Sequence, residues 1–165
     1  KTIKMKKLLF LVILNVWCLS MVAQNADSIW IVNHYTKIER MIPMRDGIKL
    51  FTSIYIPKDT LEDHPILIIR TPYSCAPYGE DRWQENWNNY SKAYFKEGYI
   101  MVTQDVRGRW MSEGVFEDVR PFNGDKKTNR DIDESSDTYD AIEWLIRNIR
   151  HENKDRMVLT LKDRD

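Results

Sequence analysis

Three groups of residues have the types and spacing that chemistry requires. The first is the loop Asp105-Val106-Arg107-Gly108, followed closely by Ser112-Glu113-Gly114: an acid, a base, a hydroxyl and a second acid, flanked by glycines. It follows the apolar run at 99–103, and a buried strand that feeds a polar glycine loop is where open α/β sheets place ligand sites. Gly108 and Gly114 permit turns that a Cβ would obstruct, and no complete phosphate-binding loop is present. The second group is Ser74-Cys75, which as nucleophiles would require a base from His34, His64 or His151. A lone thiol such as Cys75 is ordinarily a small buried hydrophobe. The third is the acidic run Asp131-Ile132-Asp133-Glu134-Ser135-Ser136-Asp137. Alternate carboxylates suit calcium, but the central glycine is missing and the twelfth position counted from Asp131 is Ile142, not a bidentate Glu. The run therefore reads as a helix entry, with neither a metal nor another cofactor expected.

These loops need elements to hold them. Residues 35–42 and 48–56 form two runs around Arg45-Asp46-Gly47, and the second alternates with period two, so the pattern predicts a β-hairpin. The continuous run at 65–69 predicts a strand covered on both faces. Trp83, Trp87, Tyr90, Tyr94 and Phe95 recur at helical spacing, with Lys92 and Lys96 near the negative end and Gly98 as terminator. With the strand at 99–103, this makes a parallel β-α-β unit. A second helix is expected from an N-cap at Ser136, with Asp137 and Asp140 in its first turn and Arg147 and Arg150 near its end. Its buried stripe would be Tyr139, Ile142, Leu145, Ile146 and Ile149, and 157–161 reads as one more strand.

Residues 1–23 run from lysines through an apolar core to Ala23, the order of a secretory signal peptide cleaved after that alanine. The expectation is an exported protein, periplasmic or extracellular, free of the membrane after cleavage, with residues 24–34 a loose mature N-terminus. Removing the leader leaves 21 basic against 25 acidic residues, a net charge of −4. The bases are dispersed among acids, which argues against a nucleic-acid partner. Only Cys75 remains of the cysteines, so no disulfide framework is expected.

Together, Met44-Arg45-Asp46-Gly47-Ile48-Lys49-Leu50, Ile69-Arg70-Thr71-Pro72-Tyr73, Gln104-Asp105-Val106-Arg107-Gly108-Arg109, Ser112-Glu113-Gly114 and the segment from Asp133-Glu134 to Trp144-Leu145 resemble the CocE/NonD serine hydrolases. That group includes cocaine-esterase-like enzymes, α-amino-acid ester hydrolases, glutaryl-cephalosporanic acid acylases and Xaa-Pro dipeptidyl-peptidase-like proteins, and the acid-rich helix entry looks most like the ester hydrolase and acylase branch. The match covers 35–149. It implies an α/β fold in which 35–165 is the N-terminal part of an α/β-hydrolase domain, cut off before the nucleophile elbow. The implied substrates are small esters or amides, or short Xaa-Pro peptides. None of the serines lies in G-x-S-x-G, and Lys162-Asp163-Arg164-Asp165 stands where the elbow would come, so the chain alone is expected to be inactive. Tyr73 matches the family tyrosine whose hydroxyl serves the oxyanion, and Pro72 stiffens its turn. Asp105, Arg107, Gly108, Ser112, Glu113 and Gly114 match a segment that shapes the loop beside the site through ion pairs and turns. The competing reading is an exported binding protein that retains the sheet without catalysis.

Overall fold

A computed structural model describes residues 26–59, 61, 64–118 and 120–152. The leader expected at 1–23 and the strand expected at 157–161 lie outside the described residues.

Alternating apolar positions around Asp46-Gly47 fold into the expected hairpin. Strands β1 (Tyr35–Pro43) and β2 (Lys49–Pro57) pair antiparallel, with Ile42 opposite Leu50. Gly47 takes a φ of 89° in the turn, and its N–H donates to Met44 O at 2.9 Å. Strands β3 (Ile66–Thr71) and β4 (Ile100–Asp105) follow, and the sheet order is β1-β2-β4-β3. β4 runs antiparallel to β2 and parallel to β3. The parallel pair is joined through helix α2 (Asn89–Lys96), as a β-α-β crossover requires.

Helices cover both faces of the sheet. Helix α3 (Glu134–Glu152) lays Ala141, Leu145 and Ile149 on Ile42, Leu50, Ile54, Ile100 and Val102. On the opposite face α2 inserts Phe95 against Tyr35, Tyr55 and Met101. The alternation of β2 therefore separates two cores rather than a core from solvent, and every residue from Leu50 to Pro57 is buried. β3 departs from expectation in the other direction. Like β1 it lies at an edge of the described sheet, pairing only with β4, and it is mostly half-buried, with Ile69 exposed.

The N-terminal segment is not loose. Residues 26–34 form helix α1, which buries Ile31 in the second core, and Asp27 pairs with Lys92 and Lys96 of α2. Those lysines thus tie two helices together.

The aromatic stripe expected from Trp83 onward is not one helix. Asn88 caps α2, its side chain accepting from Ser91 N at 2.8 Å, so Trp83 and Trp87 precede the helix. They still pack, Trp83 and Trp87 on Tyr55 and Trp87 on Phe95, but from a loop, while Tyr90 points to solvent. Gly98, with φ 78°, ends α2 as expected.

In α3 the cap is Asp133 rather than Ser136. Asp133 Oδ1 accepts from Ser136 N at 2.8 Å, and Ser136 Oγ accepts from Asp133 N at 2.9 Å, a reciprocal box one turn earlier. The buried stripe rotates accordingly: Tyr139 is exposed, Ile142 and Ile146 are half-buried, and Ala141 takes the core. Burial alone would raise the Asp133 carboxyl, but Lys126 and the N–H groups of Asn123 and Ser136 hold it well below the usual range. A carboxyl lowered on folding contributes stability above its free value of about 4 and loses it as the pH falls through the folded value. Asp133→Ala is therefore expected to cost about 0.5–2 kcal/mol near neutrality. In urea melts the deficit should be smaller at about pH 3 than at neutral pH, and a pH-independent deficit would contradict this.

Two buried polar arrangements complete the frame. Gln104, fully buried on β4, accepts from Arg70 Nε at 2.9 Å and donates to Thr52 Oγ1 at 2.9 Å, a side-chain ladder across three strands. Lys37, buried on β1, donates through Nζ to the carbonyls of Pro77, Gly79 and Arg82 and pairs with Glu39 at 2.9 Å.

Candidate active site

The two parallel strands end side by side, Thr71 opposite Asp105, and Tyr73, Ser74, Cys75 and the 105–114 loop follow directly from those ends. Asp105 is fully buried. It accepts from Cys75 N at 2.8 Å through Oδ1 and from the Tyr78 hydroxyl at 2.9 Å through Oδ2. Its role is to organise the 74–78 turn, and the free thiol of Cys75 is buried beside it. Burial first, then the Asp105 carboxylate, pushes that thiol far above its ordinary range, so it is not a thiolate nucleophile.

Arg107 is buried between two carboxylates. Its guanidinium donates to Asp46 Oδ2 at 2.7 Å in the hairpin turn, and to Asp137 at 2.7 and 3.0 Å in α3. Burial alone would lower its affinity for the proton, and the two acids more than reverse that, keeping the cation fixed. Asp137, expected as a helix-dipole residue, is thus an ion-pair partner as well. Arg45 reinforces the joint with a bidentate pair to Asp140. The loop beyond folds back on the hairpin: Ser112 Oγ accepts from Phe51 N at 2.8 Å and Glu113 Oε2 accepts from Lys49 N at 2.9 Å. A Cβ on Gly108 (φ 69°) would lie 2.1 Å from Phe116 N, so the close crossing of the loop over itself demands glycine. Gly114, at φ 95°, packs under the Arg107 stem.

Asp105, Arg107, Gly108, Ser112, Glu113 and Gly114 are therefore held in place, their polar groups engaged by the side chains of Asp46, Tyr78 and Asp137 and by neighbouring backbone. Tyr73 differs. It stands two residues past β3 and is 84% exposed, while its N–H donates to Thr71 Oγ1 at 3.0 Å. Ser74 bonds to Tyr78 at 2.9 Å, a phenol pushed up to about 12 chiefly by burial and so a poor base at neutral pH. His34 and His64 line a separate pocket beside α1 and the end of α2, together with Lys58 and Gly98. Neither serves Ser74 or Cys75, and His151 has no described side chain. The acidic run disperses too: Asp131 caps the turn at Thr128, Asp133 caps α3 and Asp137 pairs with Arg107. Among the described residues, no group of three or more His, Cys, Asp or Glu side chains is arranged to hold a metal ion.

Sequence reasoning left out Asp46 as an ion-pair partner, and also Tyr78, Arg109 and Trp110. The one local signal available was Asp46 in a turn beside Gly47; the others are linked only by the folded chain.

A hairpin that leads into parallel strands, with helices on both faces, is the α/β-hydrolase architecture, and solved structures agree. An aminopeptidase from a marine sediment Thaumarchaeota archaeon superposes with a TM-score of 0.60 at 39% identity, covering 70% of this chain and 19% of its own. An α-amino acid ester hydrolase superposes with a TM-score of 0.61 at 36% identity, covering 75% of this chain and 21% of its own. Residues 46–157 match the X-Pro dipeptidyl-peptidase (S15) family, and the chain belongs to that family. Cocaine esterase from Rhodococcus sp. (strain MB1 Bresler) is 31% identical over 106 residues, which are 64% of this chain and 16% of the esterase. The chain thus spans about a fifth or less of the length of these relatives.

Proposed function

We propose that this chain supplies the oxyanion-binding part of a serine hydrolase site that cleaves ester or amide bonds of small acyl or amino-acyl substrates, Xaa-Pro peptides included. The observation that carries the reading is Tyr73, an exposed phenol at the C-terminal end of a parallel strand in a sheet of the X-Pro dipeptidyl-peptidase family. In such a site a serine Oγ attacks the acyl carbon, a histidine takes its proton and an aspartate orients the histidine. The oxygen that gains charge needs donors already aimed at it. The Tyr73 hydroxyl is one such donor, and a backbone N–H beside the nucleophile is the other.

The 165 residues contain no G-x-S-x-G. In this reading the serine, histidine and aspartate come from outside the sequence, and the chain alone is inactive. The similar proteins are named for ester and for peptide hydrolysis, which supports keeping both bond types in the substrate class. The basic, apolar leader at 1–23 supports action outside the cytoplasm. Incubation with a serine-directed fluorophosphonate should leave the chain unlabelled by intact-mass measurement. Stoichiometric labelling would overturn the proposal and point to a serine such as Ser74.

A further inference from the structure

Two residues near Tyr73 have backbone conformations that bulky or β-substituted residues rarely adopt. Ser74 has φ 100° and Trp110 has φ 50°. Such conformations persist only where surrounding contacts over-determine them. Those contacts converge on Tyr73 from both sides. On the N-terminal side, the Pro72 carbonyl accepts from Arg109 Nε at 3.1 Å and from Trp110 Nε1 at 2.9 Å. On the C-terminal side, Ser74 Oγ accepts from Ala76 N at 3.0 Å and lies 2.9 Å from the Tyr78 hydroxyl. That phenol gives its own proton to Asp105, so the Ser74 proton is directed to Tyr78 Oη. Among the described residues no hydrogen bond tethers the Tyr73 ring, and its freedom is set by how firmly its two neighbours are held.

We propose that Arg109, Trp110, Tyr78 and Asp105 form a two-sided clamp on Pro72 and Ser74 that positions Tyr73. Arg109 and Trp110 hold the entry to the turn, and Asp105 holds the exit through Tyr78. All four are positioning residues; none needs to touch substrate. The clamp gives a solvent-facing tyrosine a fixed origin, which is what a preorganised donor requires. The strain at Trp110 and Ser74 is then the cost of aiming one side chain.

The inference rests on the oxyanion reading of Tyr73 for its purpose, but its test does not. In the unmutated 165-residue chain, ¹⁵N relaxation should give the Tyr73 and Ser74 amides order parameters of about 0.85, the rigid range, although Tyr73 is exposed. In the Tyr78→Phe/Trp110→Phe double variant, which keeps an aromatic ring at each position, removes the Trp110 and Tyr78 links and leaves Arg109 Nε alone on the Pro72 carbonyl, those two amides should fall below about 0.6 while β2 and β4 stay rigid. A Tyr73 amide already mobile in the unmutated chain overturns the clamp. So does one that stays rigid in the folded double variant. If the double variant does not fold, the unmutated chain and the single Trp110→Phe variant decide by the same criterion. A rigid, clamp-dependent Tyr73 whose hydroxyl proves dispensable for turnover removes only the oxyanion reading, so the two failures are distinguishable.

Discussion

Replacing Tyr73 with Phe, in a hydrolase that joins this segment to a serine nucleophile, is expected to lower kcat by about 10²–10³-fold, or roughly 2.7–4 kcal/mol of transition-state stabilisation. The argument is one of timing. The substrate carbonyl carries little charge before attack, so the phenol binds substrate weakly and the tetrahedral oxyanion strongly. An interaction made only in the transition state lowers kcat and kcat/KM equally and leaves KM nearly constant. Folding should be almost unaffected, because the ring is exposed and Phe retains the backbone bond to Thr71. Steady-state kinetics on an ester and an amide substrate provide the measurement. An unchanged kcat would return Tyr73 to a surface role.

The second large effect concerns stability. Arg107→Met should destabilise the fold by about 3–5 kcal/mol, because it strands the buried carboxylate of Asp137 and the half-buried one of Asp46 without their cation. A domain has only about 5–15 kcal/mol to lose, so the variant should be close to unfolding at 37 °C. Arg107→Lys should recover only part of the loss, since one ammonium cannot present two forks to two carboxylates. Asp46 sharpens the test. Burial would raise its carboxyl, but Arg107 lowers it below the ordinary range, so this contribution is complete above about pH 4 and disappears as the pH falls through the folded value. Urea midpoints for the three proteins should therefore converge in acid, and equal midpoints at neutral pH would refute the assignment.

Local signals in the sequence predicted what is local in the structure. The hairpin at Asp46-Gly47 and the stop at Gly98 were legible because each depends on residues close in sequence, and the parallel crossover because a strand-helix-strand order dictates it. The start of α2 was not. Trp83 and Trp87 match a helical period, yet they reach Tyr55 and Phe95 from a loop, since burial rewards contact whatever backbone delivers it. Ser136 looked like a cap for the same reason that Asp133 is one: both offer an oxygen to the first turn, and only tertiary contacts with Asn123 and Lys126 select the aspartate. The sites follow this division. Tyr73 could be singled out by its motif, whereas Arg107 finds Asp46 and Asp137 at separations of 61 and 30 residues. The Pro72 clamp depends on Trp110, 38 residues away, adopting a backbone that its residue type disfavours.

Lys37 carries one more consequence. Its ammonium lies among three carbonyl oxygens of the 77–82 loop and one carboxylate oxygen of Glu39, the kind of oxygen-rich nest that many extracellular loops close around a calcium ion. Here the cation is covalently attached to β1. It cannot be stripped by a chelator or lost by dilution, so the loop from Pro77 to Arg82 keeps its shape whatever the divalent-ion content of its surroundings.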